Sequence, residues 1–369
     1  MREGGPYRTD EEIIALSKQI LQEASAYFKT DPIKITTRQF SAISKSRIGV
    51  YSLARIGGLV RLKEMLYGIG FIDNNPYRNT TNHDYVKNIP IFDYKKPSLT
   101  SFKRTTADLS DVFKFVKSDV ARCIVQPDTH VPVHDQAAVN AFKKFCSDYK
   151  PHLYINLGDF LEMDPLSPHP PRSLKPRRLV PDMKEARDVL KEIVDACGPQ
   201  CKFRYFIIGN HEDWLDQYLC ARVPELADGL EELGVSLNMR SLLGLDKLGF
   251  EVIDINKILR VGSANFIHGY YTPLHHAKKH LDVFKDNIYY GHLHDVQVHP
   301  GVSASGYHEA MSLGCLRQLE AEFMKGKPTN WVHAFGIFEF RKDGSYTRVA
   351  PIIIDGKFSM NGVLYDGNK

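Results

Sequence analysis

The chain lacks any run of about 18 or more apolar residues, so no segment has the reach of a membrane-spanning helix. Met1 to Pro6 leads straight into an acidic, helix-like stretch, with none of the apolar core of a secretory signal. A soluble protein without a signal peptide and without a membrane partner is expected. Paired cysteines are also lacking. Cys123, Cys146, Cys197, Cys201, Cys220 and Cys315 are scattered, several in apolar company. That fits reduced thiols and an intracellular, cytoplasmic location better than a disulfide framework. Cys197 and Cys201 have no second pair to complete a tetrahedral metal site, so they are expected as two thiols near a helix end. An excess of charge is missing too: 48 Lys+Arg against 44 Asp+Glu leave a net +4. That is too little to argue by itself for a nucleic-acid or membrane partner, and any charge argument must be local. Repeats and low-complexity tracts are absent, apart from a proline-rich segment from Pro165 to Pro181.

What remains is an ordinary globular composition, 43% hydrophobic and 25% charged, over 369 residues, enough for two domains or one large domain with an appendage. Residues 1–73 read as a small helical domain. Thr9 and Glu12 form a capping-box pattern, and Ile13, Ile14, Leu16, Ile20, Leu21 and Ala24 then recur at helical spacing. Short segments broken by Gly49, Gly57 and Gly58 follow. Residues 74–118 hold turn-formers, basic residues and little periodicity, as a linker or extended arm would. From about residue 119 to 369 short apolar runs alternate with amphipathic helices, the pattern of an α/β domain. The runs are Cys123–Val125, Leu153–Leu157, Phe203–Ile208, Asn265–Ile267 and Asn287–Tyr290, with helices expected at Gln136–Phe145 and Lys184–Ala196.

Each apolar run ends in residues able to bind a metal: Asp128-Thr129-His130, Gly158-Asp159, Gly209-Asn210-His211-Glu212, His268, and Gly291-His292-Leu293-His294. In open α/β sheets the loops at the carboxyl ends of strands converge, so five groups distant in sequence can meet. Imidazoles, carboxylates and one amide suit divalent ions such as Mn²⁺, Fe²⁺ and Zn²⁺. Glycine before Asp159, Asn210 and His292 is expected to let the backbone turn tightly. A histidine such as His268, taken alone, would more often be structural. His275, His276 and His280 have no partner motif and are expected at the surface or behind the ligands.

The five motifs in this order, D-x-H, G-D, G-N-H-[DE], H and G-H-x-H, resemble those of the calcineurin-like metallophosphoesterases, from about Arg122 to the C-terminal region. The resemblance implies a β-sandwich flanked by helices. It also implies one metal held by Asp128, His130, Asp159 and His294, and a second held by the bridging Asp159 with Asn210, His268 and His292. His211 would stand over the phosphate as general acid or electrostatic stabiliser. Two divalent ions follow, Mn²⁺ first, with Fe²⁺, Zn²⁺, Ni²⁺ or Mg²⁺ as others. Phosphoprotein phosphatases of that superfamily carry an Asp-Arg-Gly segment after G-D, which Phe160-Leu161-Glu162-Met163-Asp164 lacks, so a protein phosphatase is disfavoured. Glu162 stands where an acidic residue behind the ligands is common, and a surface place for it is equally open.

Local charge points to the substrate. Between Lys34 and Lys63 lie seven basic and no acidic residues. The pattern of Thr36–Phe71 resembles the small DNA-binding repeats that accompany homing endonucleases, whose helix here would present Tyr51, Ser52 and Arg55, with Arg47 a further expected nucleic-acid contact. The proline-rich loop carries Arg172, Lys175, Arg177 and Arg178 beside Asp159, where it could steer a phosphodiester chain. Similar insertions occur in phage-encoded relatives of that family, which would place such a protein in a bacterial host. The expectation is a nuclease hydrolysing DNA. The alternatives are a phosphoesterase for small or cyclic nucleotides, in which the basic loop closes over a single phosphate, and a non-catalytic DNA-binding regulator; the loop could also be a solvated surface and the N-terminal helices a cap on the catalytic domain.

Overall fold

The computed structural model describes residues 10–29, 32, 35, 40, 43, 62, 103–168, 178–223, 235–304, 306–321 and 324–369. The chain divides into two compact units, Met1–Asp93 and Tyr94–Lys369. In the first, the helix Asp10–Phe28 forms as its spacing predicts. Ile13, Ile20, Leu21 and Ala24 make its buried stripe and pack with Ile35, Phe40 and Leu62, while Ile14 and Leu16 flank it. Arg47, Tyr51 and Arg55 lie outside the described residues.

The second unit is built on two six-stranded sheets. One has the order β12-β11-β2-β3-β4-β5: Tyr346–Val349, Gly336–Arg341, Val120–Gln126, Leu153–Asn156, Phe203–Ile207 and Phe250–Ile253. β2 to β5 run parallel, each beside the next, and β11 and β12 are antiparallel additions at one edge. The other sheet has the order β1-β6-β7-β8-β10-β9: Arg104–Ala107, Ile258–Val261, Ala264–Ile267, Ile288–Tyr290, Gly306–Ser312 and Val298–Ser303. β7, β8 and β10 are mutually parallel there. A hairpin, β13 (Lys357–Met360) with β14 (Val363–Asp366), stands apart from both sheets.

Period-two alternation decides the layers. In β2, Ala121, Cys123 and Val125 face inward with Leu153 and Ile155 of β3 and Tyr205 and Ile207 of β4. They meet Leu259, Val261, Phe266, Tyr289 and Met311 of the second sheet in one core. The intervening residues Ile124, Tyr154, Phe206 and Phe250 point the other way, into a core shared with the helices Gln136–Tyr149 and Leu179–Cys197. On the far side, Ile267, Ile288 and Tyr290 pack against Ala277 and Leu281 of the helix His276–Phe284. Helix, sheet, sheet, helix is therefore the order of layers, the expected β-sandwich flanked by helices. With both faces covered, the strands read as unbroken apolar runs.

Several boundaries differ from the sequence expectation; the helix expected at Gln136–Phe145, for one, runs on to Tyr149. The helix expected at Lys184–Ala196 begins at Leu179, because Pro181 falls in its first turn, where a missing N–H costs no hydrogen bond. Residues 104–115, inside the stretch expected as linker or arm, supply β1 and the helix Leu109–Phe115. β1 pairs with β6 at the edge of the sheet, where four residues are too short for periodicity to register. Among the described residues, no helix is long and apolar enough to cross a membrane.

Candidate metal centre

All five motif segments leave the carboxyl ends of strands: Asp128 and His130 after β2, Asp159 after β3, Asn210 and His211 after β4, His268 after β7, and His292 and His294 after β8. Three of these strands belong to one sheet and two to the other. The loops are stitched to one another. His130 N–H donates to the Asp159 carbonyl (3.0 Å) and Val131 N–H to that of Phe160 (2.7 Å). His292 N–H is 2.8 Å from Asp128 Oδ1, and Gly291 N–H donates to the His268 carbonyl at 2.8 Å.

The glycines before these residues do more than turn the chain. Gly158 does have a left-handed φ of 91°. At Gly209, however, a Cβ would collide with the Asp159 backbone and carboxylate, and at Gly291 with the Asp128 carboxylate. There close approach of loops, not turning, requires glycine. Four of the metal-binding candidates are themselves left-handed: His130 (φ 54°), Asp159 (47°), His292 (69°) and His294 (63°). Side-chain-bearing residues in that region cost about 1–3 kcal/mol each, and such strain persists only where the surroundings over-determine it.

Ligand atoms gather in three overlapping sets that could hold a metal ion: Asp128, His130 and His294; His130, Asp159 and His211; and Asp159, His268 and His292. Asp159 belongs to two of them. Its Oδ2 is 3.2 Å from His268 Nε2, 3.8 Å from His211 Nε2 and 3.9 Å from His130 Nε2. Asn210 joins the third set through Oδ1, 2.9 Å from His268 Nε2, and His292 Nδ1 is 3.2 Å from the same nitrogen. The Nε2 atoms of His130 and His294 approach to 3.0 Å. Every metal-ligand residue expected from sequence is therefore at this one place.

Tautomers make the donor set specific. His268 Nδ1 lies 2.8 Å from the Leu157 carbonyl, which can only accept, so Nδ1 carries the proton. A neutral His268 ring then turns a lone pair on the oxygens of Asn210 and Asp159, and either a second proton or a cation must stand among them. Burial works against the charged ring, yet the Asp159 carboxylate pulls His268 up to about 9. Burial, with His268 beside it, instead pushes His292 down to about 4. A set of imidazole nitrogens with carboxylate and amide oxygens, where a divalent ion could stand in place of that second proton, fits a borderline or hard metal.

Glu162 is buried, not at the surface, and its Oε2 takes the Nδ1 proton of His130 at 2.7 Å. That leaves His130 Nε2 as the nitrogen with a lone pair to offer an ion, in the carboxylate–histidine arrangement common behind metals. His211 Nδ1 lies 2.5 Å from the Glu162 carbonyl, and its ring packs on Trp214 at 4.0 Å between centroids. Its side chain keeps 15% of its area exposed, whereas the metal-set side chains of Asp159 and His130 are closed off.

Sequence reasoning assigned no role to Glu212. It lies at the third position of the helix Asn210–Arg222, and its carboxylate accepts the N–H groups of Gly209 (3.0 Å), Asp159 (2.8 Å) and Leu161 (3.0 Å). It locks the third motif to the second. A glycine followed three residues later by glutamate at a helix start is a capping signal that could have revealed this. His275 is exposed, but His276 and His280 are buried. His276 joins Tyr290 Oη (2.7 Å) to Asp295 Oδ2 (3.0 Å), next to His294. Arg178 is exposed at the start of the helix Leu179–Cys197. Arg172 and Arg177 lie outside the described residues. Cys197 and Cys201 are buried free thiols at the end of that helix.

No protein-family profile matches the chain, and no curated protein matches it. Among solved structures, wild-type Vps29 complexed with Zn²⁺ from Entamoeba histolytica is 12% identical, covering 63% of this chain and 98% of that one, with a TM-score of 0.30. Vacuolar protein sorting 29 from Cryptosporidium parvum is 10% identical, covering 64% and 98%, with a TM-score of 0.34. A protein from Thermus thermophilus is 9% identical, covering 62% and 98%, with a TM-score of 0.26.

Proposed function

We propose that this chain is a phosphoesterase dependent on two divalent metal ions, Mn²⁺ foremost, and that it hydrolyses phosphodiesters of nucleic acid, DNA in particular. The observation that carries the metal reading is the convergence of ligand atoms from Asp128, His130, Asp159, His268, His292 and His294 in overlapping sets, with Asn210 Oδ1 beside His268 Nε2. Asp128, His130, Asp159 and His294 would hold one ion, and Asp159, Asn210, His268 and His292 the other, with Asp159 shared. Divalent ions so held offset phosphate charge and lower the pKa of a coordinated water.

The protein's own contribution is positional. Glu162 and the Leu157 carbonyl fix which nitrogen of His130 and His268 faces inward. His211, tethered at Nδ1 and packed on Trp214, keeps Nε2 as its free end on a partly exposed side of the set. A proton on that nitrogen can pass to a phosphate oxygen or a leaving alkoxide. The nucleic-acid part of the reading rests on charge in the sequence, the seven uncompensated basic residues between Lys34 and Lys63 and the basic proline-rich loop.

Hydrolysis in Mn²⁺ should therefore be measured on plasmid, linear DNA, cyclic nucleotides and a chromogenic phosphodiester. DNA cleavage is the expected result. Turnover of cyclic nucleotides alone would move the substrate to small nucleotides, and turnover of none of them would leave a DNA-binding regulator. The charge argument has its own measure. Replacing Arg47 and Arg55 with alanine should flatten the plot of log K against log salt by about two units, since each duplex phosphate contact contributes about −0.9.

A further inference from the structure

The His130 and His294 pair is closed into a circuit of side chains by residues outside the five motifs, Glu162, Arg317 and Trp331. His130 gives its Nδ1 proton to Glu162 at 2.7 Å. The guanidinium of Arg317 stands 3.5 Å from the same Glu162 oxygen, and its carbon lies 4.8 Å from the centre of the Trp331 ring. Trp331 in turn packs edge-on against His294, 4.7 Å between centroids at 70°, and His294 Nε2 returns to His130 Nε2 at 3.0 Å. Arg317 and Glu162 are both buried.

The backbones carrying Arg317 and Trp331 are tied to the two motifs they serve. Leu316 N–H donates to the Asp128 carbonyl (2.9 Å), Asp135 N–H to that of Leu316 (2.8 Å) and Gln318 N–H to that of Val133 (2.8 Å), so Arg317 rides on the D-x-H loop. Val332 N–H donates to the His294 carbonyl (2.8 Å), so Trp331 rides on the H-x-H loop. His294 differs from its neighbours in one respect: its buried Nδ1 has no hydrogen-bond partner among the described residues. Where His130 and His268 are oriented by an acceptor, the ring of His294 is oriented by packing against Trp331.

We propose that Arg317 and Trp331 are positioning residues, a stacked pair that holds Glu162 and His294 in place and so keeps His130 and His294 at the spacing of ligands to one ion. The inference rests on the metal-dependent reading above. Arginine suits the task because its flat cation can face an indole and reach a carboxylate at once, which the compact lysine ammonium cannot.

The test is calorimetric titration of metal-free full-length protein with Mn²⁺, alongside its thermal midpoint. Wild type should take up ions at two sites. Arg317→Met and Trp331→Leu should each weaken one site, that of Asp128, His130 and His294, by roughly 10–100-fold, the usual effect of losing a group that orients a ligand. The site of His268 and His292 should be unchanged, and Arg317→Lys should fall between. Should Arg317→Met fail to fold, Trp331→Phe, which keeps a ring against His294, supplies the comparison and should bind nearly as wild type. Identical isotherms, or both sites weakened together with a lowered midpoint of the metal-free protein, would overturn the inference. A wild type that takes up no Mn²⁺ would overturn the metallophosphoesterase reading and this inference with it.

Discussion

At the scale of the residue, the proposed roles of Asp159 and His211 would separate binding from chemistry. Asp159 faces His130, His211 and His268 from one carboxylate oxygen, while its other oxygen accepts the His211 N–H at 2.9 Å. Asp159→Asn keeps the shape but removes the charge common to two of the ligand sets, so ion content should fall at both and hydrolysis should cease. A mutant with about two ions per chain and full activity would sink the shared role, because a bridging carboxylate is what the two-ion arrangement needs. His211→Ala should behave in the opposite way. Its ring is tethered and partly exposed, so both ions should stay while kcat falls by ~10²–10⁴. Emission spectrometry for metal and a chromogenic diester for rate decide the point, and loss of metal would make His211 a ligand, as its place beside His130 and Asp159 also permits.

At the scale of the element, the sequence was most legible where strands end. Apolar runs buried on both faces announce β2, β3, β4, β7 and β8, and the polar residues at their ends announce the site. β1 was invisible because four residues at a sheet edge carry no period, and Arg317 because its partners are 155 residues upstream at Glu162 and in a separate loop at Trp331. Neither spacing nor residue type links them; only the stitched loops do.

The helix His276–Phe284 shows a further cost of reading histidines by spacing. His280 gives its Nδ1 proton to the His276 carbonyl at 2.8 Å, and its Nε2 accepts N–H groups of Tyr270 (3.2 Å) and Tyr271 (3.4 Å). A second proton on Nε2 would confront two donors, and burial pushes the ring down to about 4. Since the folded value lies below the ordinary one near 6.5, protons bind the unfolded chain better. The stabilisation is fully present above about pH 6.5 and is lost as pH falls through about 4, roughly 3 kcal/mol in all. Denaturant unfolding of metal-free protein across that range should therefore slope more steeply for wild type than for His280→Asn. His276, Tyr271, Phe284 and Tyr290 face this ring, and His292 also acts against its charged form. Equal slopes would place the acid sensitivity elsewhere.

At the scale of the whole molecule, the two sheets of Tyr94–Lys369 present a mechanical question. Apolar side chains hold their faces together, and such contacts can slide. At the carboxyl edge, though, each candidate ion would take ligands from both layers: Asp128 and His130 from one with His294 from the other, and Asp159 from one with His268 and His292 from the other. An ion so placed is a rivet through two plates. Native-state binding at a hundredfold excess over Kd adds about 2.7 kcal/mol. For a unit of this size that is roughly 5–10 °C in melting temperature. Chelation should give back that increment, and amide exchange should quicken first at the ends of β2, β3, β7 and β8 while the opposite edge of the sandwich stays closed. Uniform quickening would mean that the plates are held by their faces alone.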